Sequence, residues 1–342
     1  MEEDLIQKKA LLILGGPVRL PKGFEFPYRV SHSTAGPGAG YGSAVFAFGY
    51  HRVKKTISYD DGEFELVVGE NGYSLTRNGE PFLENVELRP VVFHSPEQAF
   101  FNLDPRCMYH CAYCTSPLLP KDEFKGLTDE RIVSLVKDAR SVQKVVSVSL
   151  TSGVVGSVDS TVDRFVSCVS ALRKEFPDMP IGIEPYVATE EHLRRLKDAG
   201  ATEIKLNLES PDREIFEKVC PELDYDGIWH LLQLAVKIFG KGMVSSNIIF
   251  GMGETDEEIE KCFRKLCSMG VVPTLRALRF NSMNRENLEK AIGEQEKMTP
   301  ERVISLAKMQ KRIMEEYGLT TLNLHTMCIE CTCCDLVPFR DL

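Results

Sequence analysis

From about position 100 onward the hydrophobic pattern alternates between short apolar runs and longer amphipathic stretches whose apolar positions recur three or four residues apart. The runs predict six strands, over 99–103, 144–151, 180–187, 203–208, 243–250 and 274–280. The stretches predict helices over 128–140, 159–176, 189–199, 211–219 with 226–239, and 255–269. Three of these open on a threonine followed by acids, at Thr128-Asp129-Glu130, Thr189-Glu190-Glu191 and Thr255-Asp256-Glu257. In that order the hydroxyl accepts a free backbone N–H and the carboxylates face the positive end of the helix. Gly200 and Gly270 stand where helices should stop. Repeated strand-helix units predict an α/β fold with a parallel sheet. Six units give a partial (βα)6 TIM-type barrel, short of the eight that close one, with a lateral opening for a large substrate.

The first hundred residues have another texture. Turn signals at Asp61-Gly62, Asn71-Gly72 and Asn78-Gly79 separate short runs such as 64–68, which predicts a small β-rich extension. The glycine-rich segment 36–42 lacks the spacing and lysine of a phosphate loop, and reads as a structural loop. No role follows from the sequence for the neighbouring Ser31, His32 and Ser33. A last helix over 299–317 opens Thr-Pro-Glu and leads into a cysteine-rich tail. The reading divides the chain into a β-rich module at 1–96, the barrel at 97–298, and a helix with tail at 299–342.

Composition narrows the function. A net charge of −9 with a pI near 5.5 disfavours nucleic acid and anionic membrane surfaces as partners. An acidic start and the lack of a long uncharged apolar window predict a cytoplasmic chain with no membrane segment. Of eleven cysteines, seven fall in two tight clusters, too crowded for a disulfide framework and suited to metal in a reducing compartment. The other four, Cys168, Cys220, Cys262 and Cys267, read as packed thiols.

Cys107, Cys111 and Cys114 form C-x3-C-x2-C just after the first barrel strand, at the end of the sheet where parallel α/β folds place chemistry. Three thiolates can hold three corners of an iron–sulfur cubane and leave the fourth iron open to a cofactor. A zinc site is the alternative, with His110 as a fourth ligand. The triplet, with Tyr113 before its last cysteine, resembles the signature of the radical S-adenosylmethionine (SAM) superfamily. That resemblance implies a 4Fe-4S cluster and SAM, cleaved reductively to a deoxyadenosyl radical. Further matches follow in order along the barrel. Thr151-Ser152-Gly153 ends the second strand, where the family sets a glycine motif against the methionine amino group. Asn207-Leu208-Glu209 resembles a biotin synthase triplet that holds the ribose hydroxyls, and Gly251-Met252-Gly253-Glu254-Thr255 resembles a segment of the same family beside the adenosine. The implied cofactor contacts are Tyr113, Thr151, Ser152, Gly153, Asn207, Glu209, Gly251 and Gly253. Arg276, Arg279, Asn281 and Asn284 lie around the carboxyl end of the sixth strand and read equally as substrate or cofactor contacts or as solvated loop.

The tail carries Cys328, Cys331, Cys333 and Cys334. Thiols this dense near a terminus are an oxidation hazard unless bound to metal. They predict a second, auxiliary 4Fe-4S cluster on Cys328, Cys331 and Cys334, with Cys333 as an alternative or fourth ligand. Zinc on all four is the competing reading, and His325 reads as a packed residue. The region 299–338 resembles one component of the two-component lipoyl synthase of archaea. This implies sulfur insertion into a protein-bound octanoyl-lysine. The implied partners are an octanoylated carrier protein or domain, a second radical SAM component, and an electron donor such as ferredoxin. Such chemistry asks that the tail fold back over the barrel opening and face its top. Two readings compete with it, a radical SAM peptide or cofactor maturase, and a two-cluster electron carrier.

Overall fold

The structure is a computed structural model, described here over residues 2–28, 30, 42–70, 72–118 and 126–342. Most of the glycine-rich segment, and Ser31, His32 and Ser33, lie outside those residues.

The chain opens with a helix that the turn-rich texture of its first hundred residues did not predict. This is α1 (Glu2–Leu14), with Glu2, Glu3 and Asp4 in its first turn and Ile6, Ala10, Leu12 and Ile13 buried. Six strands follow: β1 (Val18–Arg19), β2 (Ser43–Phe48), β3 (His51–Ser58), β4 (Phe64–Gly69), β5 (Gly72–Arg77) and β6 (Glu80–Arg89). They close into a small barrel in the order β1-β3-β2-β6-β5-β4. Asn78 and Gly79 join β5 to β6 with φ of 52° and 85°. This is the primed turn that an Asn-Gly pair favours, because both positions are left-handed and match the twist of the strands.

The larger unit alternates strand and helix. It runs β7 (Gln98–Asn102), α2 (Asp129–Val142), β8 (Ser147–Thr151), α3 (Val158–Glu175), β9 (Ile181–Glu184), α4 (Glu190–Asp198), β10 (Glu203–Lys205), α5 (Arg213–Val219), α6 (Tyr225–Phe239), β11 (Val244–Phe250), α7 (Asp256–Met269) and β12 (Val272–Ala277). The six strands form one parallel sheet ordered β7 to β12, open between its two edges. Thr128, Thr189 and Thr255 cap α2, α4 and α7 as their sequence predicts, each accepting a backbone N–H of the first turn. Apart from β7, the strands are shorter than the apolar runs, since apolar residues continue into the rims after ladder pairing has ended. Then come α8 (Arg285–Ile292), absent from the sequence reading, α9 (Pro300–Glu316) and the short α10 (Met327–Cys331).

The tail does not cap the top of the barrel, and the lateral gap is not open. Glu203, the first residue of β10, takes the backbone N–H groups of His325 and Thr326 and the Thr326 hydroxyl. Met327 N–H reaches Gln98, the first residue of β7, and Ser149. A Cβ on Gly182 in β9 would meet Thr326 Oγ1 at 2.0 Å. The tail therefore enters from the amino ends of the strands, where a glycine makes room for it. It then lies between the two sheet edges. Arg276 of β12 pairs with Asp335 at 3.0 Å, and the small barrel covers the segment from outside, with Lys54 N–H donating to Cys333 O at 2.8 Å. The edges of an open sheet present unpaired polar and apolar surface, and this chain covers them with its own tail.

Candidate functional site

The triplet loop leaves β7 at the carboxyl end of the sheet, as the sequence predicts, and its backbone is pinned at several points. Met108 N–H donates to Val154 O, and Ala112 N–H to Val219 O, both at 2.8 Å. Asp104 forms an ion pair with Arg106 and accepts Gly153 N–H through its carbonyl. The glycine is required here: a Cβ at Gly153 would stand 2.0 Å from Arg106 O and 3.0 Å from Cys107 Cβ. Cys107, Cys111 and Cys114 are all partly exposed. Burial pushes the Cys114 thiol up to about 11, against hydrogen bonds from Ser116.

Among the described residues no three His, Cys, Asp or Glu side chains are grouped to hold one metal ion. His110 is exposed, with its ring 3.3 Å from Glu222. Three thiols spread around a loop suit a cubane, because each then binds a different iron.

The rim above the sheet gathers the other predicted residues. Thr151 ends β8, and Ser152 Oγ donates to Gly153 O at 2.8 Å. Asn207 donates to Glu184 Oε1 at 2.7 Å. Glu209 has a left-handed φ of 66°, uncommon for a residue with a Cβ. It is held there by its N–H to Asn247 O and by Ile249 N–H to its own carbonyl. Burial raises its carboxyl above the usual range, against the Lys205 charge. Gly251 and Gly253 have φ of 95° and 111°, and the buried Glu254 carboxylate accepts Gly251 N–H at 2.7 Å and Met252 N–H at 2.8 Å. Glu254 thus shapes the turn, with Arg302 paired to it at 3.1 Å. Tyr113 turns inward, its hydroxyl accepting from Cys220 Sγ at 3.6 Å, while Tyr109 packs edge-on against Tyr186.

In the tail, Cys331, Cys333 and Cys334 are buried and Cys328 is partly so. Cys328 Sγ lies inside the barrel, 3.1 Å from an Arg276 amine and 3.9 Å from Lys205 Nζ. Lys205 also pairs with Glu184 at 2.9 Å. Burial alone would lower the Lys205 value, but Cys328 and Glu184 reverse this and raise it. The Nε atoms of Arg276 and Arg279 and Oδ1 of Asp335 are buried without a partner. A hydrogen bond from Cys333 holds the Cys331 thiol below the ordinary range, whereas burial pushes Cys334 up to about 12. Arg276 and Arg279, one reading of which is solvated loop, are half-buried against the tail, with Arg279 3.5 Å from Cys334 O. Asn284 is no solvated residue either, because its amide ties Tyr113 O to Arg279 O at 3.0 Å each, and Asn281 braces it. His325 is exposed rather than packed.

A polar path runs through the lumen from Cys328 to the rim. It passes from Cys328 to Lys205, Glu184 and Asn207, on to Asn247 N–H at 3.3 Å, then through Asn247 Nδ2 to Glu209 at 3.4 Å. Sequence reasoning missed Glu184, Lys205 and Asn247. The signal was present, since Glu203, Lys205, Asn207 and Glu209 alternate within an apolar run and period two puts them on one face.

Comparison with known proteins bears on this arrangement. The model of the family described as Radical SAM superfamily matches residues 101–266. The chain is 29% identical over 166 residues to molybdenum cofactor biosynthesis protein moc-5 of Caenorhabditis elegans, covering 46% of this chain and 26% of that protein. It is 26% identical over 165 residues to biotin synthase of Aliarcobacter butzleri, covering 48% and 57%. The matches thus span only part of each curated relative. In fold it resembles the FeFe-hydrogenase maturase HydG of Carboxydothermus hydrogenoformans, with a TM-score of 0.54 and 18% identity over 65% of this chain and 52% of that one. Methylornithine synthase (PylB) gives a TM-score of 0.53 and 19% identity over 71% and 72%. The triplet loop, the parallel open barrel and these matches agree, and residues 101–266 of this chain are a domain of the radical SAM superfamily.

Proposed function

We propose that this chain is a radical SAM sulfur-insertion enzyme, a lipoyl synthase component that adds sulfur to a protein-bound octanoyl-lysine. The observation that carries the reading is the place of Cys328, whose thiol stands inside the lumen beneath the rim that bears Asn207, Glu209 and the cysteine triplet. When bound, the first cluster with SAM supplies a primary carbon radical, which removes hydrogen from carbons that no side-chain base can deprotonate. Cys107, Cys111 and Cys114 would hold that cluster. Gly153 lets the methionine end approach the loop, and Asn207 with Glu209 offers donor and acceptor atoms for ribose hydroxyls.

The tail cysteines fit a second cluster, with Cys328, Cys331 and Cys334 as ligands and Cys333 as alternative. A cluster held by thiolates is anionic, and buried cations without full partners favour such an occupant. Arg276 and Arg279, whose Nε atoms are buried without a partner, supply them, and Lys205 stands 3.9 Å from Cys328. When bound, this second cluster would supply sulfide. The proposed partners are an octanoylated carrier protein or domain, a second radical SAM component, and a ferredoxin-type electron donor. Among the described residues no helix is long and apolar enough to cross a membrane.

The similarity to moc-5 favours a second reading, a cofactor maturase whose tail cluster binds substrate or relays electrons. Anaerobic reconstitution and incubation with SAM, dithionite and an octanoylated lysine peptide, with and without a second radical SAM protein, separates the readings. Sulfur insertion predicts about eight irons per chain, deoxyadenosine, and a peptide that gains cluster-derived sulfur. Deoxyadenosine without sulfur transfer favours the maturase, none at all leaves an electron carrier, and about four irons refutes the tail cluster.

A further inference from the structure

Both ends of α10 carry a left-handed residue that is not glycine, Met327 at φ 58° and Thr332 at φ 54°. At Thr332 the conformation is unusual, because a β-branched side chain crowds the backbone there. It also decides where the thiols go. Were α10 to continue, positions 331 and 334 would share a face at three-residue spacing, and position 333 would point away, about 200° around the axis from 331. Instead Thr332 N–H closes on Cys328 O at 2.9 Å and the chain turns. Cys331, Cys333 and Cys334 then pack together, buried against Val45 of β2. The turn is held from outside the tail. Arg52 of β3 donates through Nε to Thr332 Oγ1 at 3.0 Å and through Nη2 to Glu330 O at 2.6 Å. Lys9 Nζ donates to Thr332 O at 2.7 Å, and Lys54 N–H to Cys333 O at 2.8 Å. These contacts come from α1 and β3, so the N-terminal module, whose role the sequence leaves open, forms the outer wall of the cysteine turn.

We propose that Arg52 is a positioning residue of the tail's metal site, holding the left-handed turn at Thr332 that sets Cys333 beside Cys331 and Cys334. A non-glycine residue in this conformation persists only where its surroundings over-determine it, and hydrogen bonds from a charged donor are the stronger kind. One guanidinium grips the carbonyl before the bend and the side chain at it, so the bend cannot relax without breaking both bonds. Glu97, 3.5 Å from Arg52 Nη1, steadies the planar fork. Thiols grouped in advance lose less freedom when a metal binds them. The inference deepens the tail-cluster reading, on which it rests, and is independent of the substrate.

The test labels the full chain with iodoacetamide without oxygen, before reconstitution, and reads each cysteine by mass spectrometry. Iron content and electron paramagnetic resonance follow on the reconstituted chain, where the signal that added SAM perturbs is the first cluster and the other is the tail's. Label reaches buried thiols through local opening, at a rate set by how often the segment opens. A bond from a charged donor is worth roughly a tenfold change in such an equilibrium at the low end of its range. Arg52→Met should therefore label Cys331, Cys333 and Cys334 about tenfold faster and leave the triplet unchanged. After reconstitution it should lose most of the SAM-insensitive signal and keep the SAM-responsive one. Adding Thr332→Gly should reverse both effects, since glycine takes a left-handed φ without help. Arg77→Met, which breaks an ion pair with Glu63 in the same small barrel, should cause neither. No labelling change in Arg52→Met, an equal change in Arg77→Met, or no rescue by Thr332→Gly overturns the proposal. About four irons in wild type with the labelling pattern intact sinks the tail cluster while upholding the turn, whereas about eight irons with no Arg52 effect sinks this inference alone.

Discussion

Lys9→Met should detach the tail from the rest of the molecule. Lys9 lies on α1 and is fully buried, as is Asp341 near the chain end, at 0% and 1% side-chain exposure. The Lys9 ammonium donates to both Asp341 oxygens at 2.6 and 2.7 Å and to Thr332 O at 2.7 Å. Asp341 also faces His51 Nδ1 at 2.9 Å and takes Val337 N–H at 2.8 Å. Removing one member of a buried ion pair strands the other, which costs about 3–5 kcal/mol. The remaining His51 contact argues for the lower end of that range. Equilibrium urea unfolding should therefore show Lys9→Met destabilised by about 3 kcal/mol, and Lys9→Met with Asp341→Asn regaining at least half of it, since the stranded charge is gone. The pH dependence carries a sign. Burial alone would raise the Asp341 carboxyl, but Lys9 and the bonds from His51 and Val337 outweigh it and hold it below its ordinary 3.8. A depressed acid stabilises the fold above its unfolded value, and that stability is lost as pH falls through the folded one. The deficit of Lys9→Met should thus narrow below about pH 4. A variant within 1 kcal/mol of wild type, or a double variant no better than the single, would refute the argument that this pair anchors the tail.

Other substitutions read other parts of the site. Gly153→Val should cut iron incorporation at the triplet severalfold, because the new Cβ meets Arg106 O at 2.0 Å, and iron content of the reconstituted protein checks it. Glu254→Ala removes the acceptor of two backbone N–H groups, each costing about 1–3 kcal/mol when left unpaired. It should weaken SAM binding about tenfold or more with iron unchanged, measured by isothermal titration. Arg276→Leu removes the cation beside Cys328 and Asp335 and should lower the iron held by the tail while sparing the SAM-responsive signal.

The cysteine spacing and the two periodicities were enough to find the parallel sheet, its caps and the triplet loop, because each is a local property. Thr255 caps α7 and Gly270 ends it on information held within a few residues. What the tail does is a different kind of fact. Its path beneath β10 depends on Glu203, Gln98 and Gly182, more than a hundred residues away, and no sequence pattern records which surface a segment will cover. The same holds for Cys220, which looks like any packed thiol until the Ala112 to Val219 bond sets it beside the triplet loop, where its thiol donates to the Tyr113 hydroxyl at 3.6 Å. The buried charges divide likewise. Alternation marks Lys205 as facing the inside of the barrel, but only the assembled lumen gives it Glu184 on one side and Cys328 on the other, since charges settle by proximity in space. The sequence by itself determined the strands and helices of the larger barrel and the place of the triplet loop, and the tertiary structure decided which distant groups surround them.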